Sequence, residues 1–187
     1  MPVKDRIIIG IDPGTIFMGY GILKIQGGKP FLEAMGILRL DRFTSHYDRL
    51  LKIQEGTEAL IQRYEPDAMA LEAPFYHKNV QTTLKLGRAQ GVAMVAALSH
   101  HITVCEYSPT TIKKAITGRG NASKEQVAMM LQSILKIPQD SMMDHLDATD
   151  GVAVALTHHI QETSPLAHTT KGSWSDYIKQ NPDKVRK

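Results

Sequence analysis

Apolar and polar positions change period along this chain, and each change marks an element. Residues 6–12 form a β-branched run ending in Asp-Pro-Gly, the pattern of a buried strand closed by a turn. Residues 19–26 and 31–40 read as two more strands on either side of the Gly27-Gly28 turn signal, so the first forty residues predict an antiparallel meander. The period then shifts to three and four. Tyr47, Leu50, Leu51, Ile53, Ala59, Leu60, Ile61 and Tyr64 mark an amphipathic helix over 46–64, stopped by Pro66. Residues 67–72 give a fourth, short strand with Glu72 at its carboxyl tip. Residues 80–100, rich in Ala, Leu, Met and Val, predict a long, largely buried helix in which Gly87 and Gly91 admit a close neighbour. A fifth strand over 102–106 precedes a helix opened by Pro109 and a loop at 118–121. Ser123, with Gln126 three residues on, forms a capping box for the next helix, and a last helix covers about 144–159 with Asp144 as its cap. Strands followed by alternating strand and helix units imply an α/β domain built on a mixed sheet with helices over it.

With 187 residues the chain has room for one good-sized domain, placed at 1–163. Composition excludes general disorder, since 42% of residues are hydrophobic and 22% charged. Apolar stretches fall far short of the ~20 residues that span a bilayer, and no signal sequence opens the chain, so neither a membrane nor a secreted protein is expected. Cys105 is the sole cysteine, which rules out an internal disulfide and suits a reducing cytoplasm. The net charge is +3. Lys171, Lys179, Lys184, Arg186 and Lys187 against Asp176 and Asp183 account for all of it, so 164–187 reads as a basic tail, flexible in the absence of a partner. The balanced remainder still carries two basic stretches. One holds Lys78, Lys85 and Arg88; the other holds Lys113, Lys114, Arg119, Lys124 and Lys136 against Glu125 alone. A polyanionic partner and ordinary solvated helix faces both fit that clustering.

Four acids stand at places where a site could form. Asp12 and Glu72 each end a strand, and Asp147 and Asp150, three apart on a helix, point to roughly one side. Taken singly, Asp12 fits a turn, Asp147 a helix start and Asp150 a solvated face. Taken jointly they matter if their segments meet, as strand ends and helix starts commonly do at the carboxyl edge of an α/β sheet. Convergent carboxylates repel unless a cation holds them, and hard ions such as Mg²⁺ prefer oxygen donors. Two such ions about 4 Å apart suit phosphodiester hydrolysis.

The ordered set of motifs then resembles a known family. Gly10-Ile11-Asp12-Pro13-Gly14 with Gly19-Tyr20-Gly21, Leu71-Glu72 ahead of Phe75 and Lys78-Asn79, Leu84 through Gly91, Glu106-Tyr107, Ile112-Lys113-Lys114, Ala122 through Val127, and Asp147-Ala148-Thr149-Asp150 resemble the RuvC family of bacterial Holliday-junction resolvases over about residues 6–160. That resemblance implies an RNase H-like fold with a mixed five-stranded sheet and helices on both faces. It also implies a homodimer that nicks two opposed strands of a four-way DNA junction during recombination and repair, alongside the branch-migration proteins RuvA and RuvB. The family's four metal-holding acids fall on Asp12, Glu72, Asp147 and Asp150, with Mg²⁺ as cofactor, two ions per site, and Mn²⁺ able to substitute. Lys113 and Lys124 fall beside the scissile phosphate, and Lys124 joins the catalytic set. Phe75 matches an aromatic wedge at the junction centre, a role Tyr76 shares; Lys78, Lys85, Arg88, Lys114 and Arg119 complete the DNA-binding set. His158 is expected to be structural or to back up the ligands. The Gly10–Thr15 segment also resembles the first phosphate loop of actin-like ATPases and sugar kinases, whose second domain has no room here. Other RNase H-like nucleases and a non-cutting junction binder are the remaining alternatives.

Overall fold

The computed structural model describes residues 5–74, 79–137 and 146–163, with Leu146 and Asp147 described by their backbone alone. The expected helix cap at Asp144 and the basic tail at 164–187 lie outside the described residues. Five strands form one mixed sheet: β1 (Arg6–Asp12), β2 (Phe17–Gln26), β3 (Lys29–Arg39), β4 (Ala68–Glu72) and β5 (Thr103–Tyr107). Their order is β3-β2-β1-β4-β5. The first three strands pair antiparallel as the meander the sequence predicts, and β4 and β5 add in parallel. Among the described residues five helices cover the sheet: α1 (His46–Tyr64), α2 (Val80–Ser99), α3 (Pro109–Thr117), α4 (Lys124–Leu135) and α5 (Leu146–Thr163).

Strand alternation divides the core in two. Ile9, Ile11, Met69 and Leu71 face one way and pack with Ile53, Leu60, Ala89 and Ala93 of α1 and α2. Ile8 and Ala70 face the other way, against Ile112 of α3, Val127 and Leu131 of α4, and Val152 and Ala155 of α5. Each fully buried Ile or Leu contributes roughly 1.5–3 kcal/mol, so both helical layers are firmly seated. Local signals set the helix ends. The Ser123–Gln126 capping box forms in both directions, Pro109 opens α3, and Gly118 closes it in the left-handed conformation.

Two expectations need correction. The sequence reading makes α2 largely buried, yet only Ala89, Gln90, Ala93, Ala96 and Ala97 are buried, while Val80, Leu84, Val95 and Leu98 face outward. Gly87 and Gly91 do not admit a close neighbour, because a Cβ at either would meet only open space. One cause explains both: α2 packs on the sheet through an alanine stripe, and its bulkier apolar residues lie on the opposite side. The close approach occurs instead under α5. A Cβ on Gly10 would come 2.2 Å from the Gly151 carbonyl oxygen, and one on Gly21 would come 2.5 Å from the Val152 backbone. The last helix also runs on to Thr163, four residues past its expected end.

Candidate active site

Three of the four acids meet. In β1 the residues facing α5 are Ile8 and Gly10, and the next of that parity is Asp12; in β4 it is Ala70 followed by Glu72. The strands pair in parallel with Ile11 beside Leu71, so Asp12 and Glu72 end adjacent strands on one face at one edge. Glycine contacts at residues 10, 21 and 151 bring α5 down onto that face. Asp150, immediately before Gly151, therefore reaches the same edge. The result is a cleft of about 190 Å³ lined by Asp12, Glu72, Lys113, Lys124 and Asp150, with Pro109, Ile112, Val127 and Ala153 as its apolar wall.

The charges in this cleft are strongly coupled. Burial, reinforced by the nearby Asp150 carboxylate, pushes the Glu72 carboxyl up to about 7, against the opposing pull of Lys124 and Lys113. Lys124 Nζ donates to Asp150 Oδ2 at 2.7 Å. The lysine side chain is 58% exposed and the aspartate 17%, so this pair is worth only about 0–1 kcal/mol and breaks readily. The acids supply oxygen donors alone, and burial beside a second carboxylate makes the charged form of Glu72 costly. Both properties fit a hard divalent cation. Among the described residues, however, no three acids, histidines or cysteines are gathered closely enough to hold a metal ion. Asp147, the fourth acid, lies one helical turn before Asp150, but its side chain is outside the described residues.

The basic positions divide. Lys113 and Lys124 line the cleft, whereas Lys114 is exposed on α3. Arg119 borders a separate hollow with Gln126, Met129 and Met130. Lys85 and Arg88 are exposed on α2, on the far side of the sheet from α5, where Arg88 edges a groove with Leu50 and Val95. Phe75, Tyr76 and Lys78 lie outside the described residues. His158 takes no part in the cleft. It is buried with its Nδ1 2.8 Å from the Tyr107 hydroxyl, and its Nε2 is 3.3 Å from Glu162 without hydrogen-bond geometry. Burial lowers its pKa, which favours the neutral imidazole.

Sequence reasoning missed the braces around the acids. Arg49 of α1 donates to the carbonyls of Phe43 and Thr15 at 2.7 and 3.1 Å, tying down the loop after Asp12. Gln90 of α2 bonds Glu72 and Glu106. The available signal for Gln90 was a lone amide among alanines on a helix face.

The family model for the crossover junction endodeoxyribonuclease RuvC matches residues 8–158. A Porphyromonas gingivalis protein of that name is 54% identical, covering 100% of both chains. A Bacteroides fragilis counterpart is 52% identical over 99% of this chain and 98% of its own. Among solved structures, Thermus thermophilus RuvC in complex with a Holliday junction substrate superposes with a TM-score of 0.74 at 27% identity, covering 83% of this chain and 94% of that one. The yeast mitochondrial Holliday junction resolvase Ydc2 shares the fold, with a TM-score of 0.64 at 14% identity over 92% of this chain and 83% of its own.

Proposed function

Since the chain belongs to the RuvC family of crossover junction endodeoxyribonucleases, we propose that it cuts four-way DNA junctions at the cleft between β1, β4 and α5. The observation that carries this reading is the convergence of Asp12, Glu72 and Asp150 with Lys113 and Lys124 around one solvent-reached cleft. Asp12, Glu72 and Asp150, joined by Asp147 from the preceding turn of α5, would hold the divalent cations; Mg²⁺ is the first choice, two per site, with Mn²⁺ as a substitute. Bound there, the cations supply charge neutralisation and an activated water for phosphodiester hydrolysis. The chain's own part is positional and electrostatic. The two strand ends and the helix fix the carboxylates, and the Ile112–Val127 wall keeps the cleft apolar on one side. Lys124 exchanges Asp150 for a phosphate oxygen while Lys113 neutralises the same backbone.

A four-way junction needs two cuts, and a two-fold homodimer supplies two equivalent sites. The outward apolar residues of α2, Val80, Leu84, Val95 and Leu98, support that assembly. Phe75 and Tyr76 would stack at the junction centre, Lys78, Lys85, Lys114, Arg88 and Arg119 would track the backbone, and RuvA and RuvB would be the partners of the complex. We place the enzyme in the cytoplasm; no helix among the described residues is long and apolar enough to cross a membrane. Residues 1–163 are the nuclease domain and 164–187 a basic tail.

The test is incubation of the purified chain with labelled four-way junction, linear duplex and RNA–DNA hybrid, with and without Mg²⁺. Mg²⁺-dependent paired nicking of the junction alone is expected, and Asp12→Asn should reduce it roughly 10³-fold, equivalent to about 4 kcal/mol of transition-state stabilisation, while still binding the junction. Preferential cutting of the hybrid, or wild-type cutting by Asp12→Asn, refutes the reading.

A further inference from the structure

Of the five buried residues on α2, four are alanines and the fifth is Gln90, which is 5% exposed. A buried carboxamide is destabilising unless its polar atoms are bonded. Here both protons of the amide nitrogen have acceptors. Nε2 donates to Glu106 Oε1 at 2.6 Å and to the main-chain oxygen of Glu72 at 3.4 Å. The shorter bond to a carboxylate is the stronger and aims the amide; the longer one reaches the peptide that carries the cleft acid. The same peptide unit donates its Ala73 N–H to the Tyr107 carbonyl at 2.9 Å, and Gln90 holds its opposite, carbonyl end. The pairing of β4 with β1 stops at Leu71, one residue short, and on the other side Glu72 pairs with Tyr107 of an edge strand.

We propose that Gln90 is a positioning residue for the nuclease: anchored by Glu106, it clamps the Glu72 carbonyl from the α2 side of the sheet and so fixes the aim of the Glu72 carboxylate into the cleft on the other side. The proposal rests on the reading of Glu72 as a metal-holding acid. It also makes α2, the helix with the candidate backbone contacts Lys85 and Arg88, a direct mechanical neighbour of that acid. Removing hydrogen-bonded supports behind metal-holding groups typically lowers metal affinity or activity about 10- to 100-fold, which sets the expected size.

The experiment uses the full chain and the variants Gln90→Leu, Glu106→Ala and Glu106→Gln, with Glu72→Gln as reference. Four quantities are read: kcat on a saturating four-way junction across Mg²⁺ concentrations, junction Kd without Mg²⁺, Tm, and Mn²⁺ binding by calorimetry in the absence of DNA. Gln90→Leu is expected to weaken Mn²⁺ binding and raise the Mg²⁺ needed for half-maximal cutting by about 10- to 100-fold, with junction Kd unchanged. Glu106→Ala should shift both in the same direction by less, because the bond to the Glu72 carbonyl stays in place, with a modest fall in Tm from the buried amide proton left without its acceptor. Glu106→Gln keeps the acceptor and should cut like the wild type. Wild-type Mn²⁺ binding and Mg²⁺ requirement in Gln90→Leu overturns the proposal, as does a loss of cutting that merely follows a lower Tm. If Gln90→Leu fails to fold, Glu106→Ala decides, and wild-type metal response there also overturns it. Wild-type cutting by Glu72→Gln would instead refute the reading of the cleft, a failure separate from that of Gln90.

Discussion

Lys124 and Asp150 show how little energy holds the resting cleft together and how much its charges matter. Their exposed ion pair is worth about 0–1 kcal/mol, so a phosphate can take the lysine from the aspartate at small cost. Lys124→Ala should therefore lower Tm by no more than about 2–4 °C, the shift that ~1 kcal/mol produces in a chain of this size. The same substitution should slow junction cutting by roughly 10²-fold, as the loss of one charge-stabilising donor does elsewhere. Single-turnover kinetics beside a melting curve separates the two effects. Glu72 presents the opposite balance. Its carboxyl loses its proton near 4.5 in the unfolded chain and near 7 in the fold. Between those values the fold binds more protons, so stability falls as pH rises through that window and stays lower above it. Metal-free Glu72→Gln should therefore melt above metal-free wild type at pH 8, by about 2–4 °C for each kcal/mol relieved, and show no advantage at pH 4. Added Mg²⁺ should narrow the gap by stabilising only the wild type, which scanning fluorimetry would read.

At the scale of elements, α5 and the sheet meet through missing side chains. Gly10→Ala would drive a methyl to 2.2 Å from the Gly151 carbonyl and 2.4 Å from the Ala155 nitrogen, so the helix must lift. Such overpacking costs about 1–3 kcal/mol, and the lifted helix carries Asp150 away from Asp12. Loss of junction cutting well beyond what the lowered Tm explains is the expected result, checked by denaturation and nicking assays on the same preparation. Local chemistry made most of these elements legible beforehand. The apolar runs ending at Asp12 and Glu72, the proline at 109 and the capping box at 123–126 each declare a boundary within a few residues. What sequence concealed was tertiary. Nothing in Val80, Leu84, Val95 and Leu98 distinguishes an outward face from a buried one, and Gly87 looks no different from Gly10 although only the latter meets a neighbour. Gln90 was hidden for the same reason, because its partners Glu72 and Glu106 come from two other elements. The cleft was legible in part: strand ends, the three-residue helix spacing and the family resemblance pointed to Asp12, Glu72 and Asp150, whereas the Lys124–Asp150 pairing emerged only in the fold.

For the whole molecule, the outward side of α2 is the face on which the proposed dimer rests. Its Val95 and Leu98, 62% and 57% exposed, are large apolar groups left in water by a single chain. Val95→Glu should convert the proposed dimer into monomers, raising the dissociation constant at least about 10-fold for each 1.4 kcal/mol of burial lost, without changing the Asp12 cleft. Sedimentation would show the change in mass, and single nicks in place of paired ones would show its effect on cutting. The placement of the strands has a last consequence. The acid-bearing β1 and β4 sit in the interior of the sheet, with β2 and β3 on one flank and β5 on the other. Thermal breathing that starts from either rim must peel away an outer strand before it reaches them, so Asp12 and Glu72 are seated in the part of the protein that opens last, and partial opening at the margins leaves these two acids still in register.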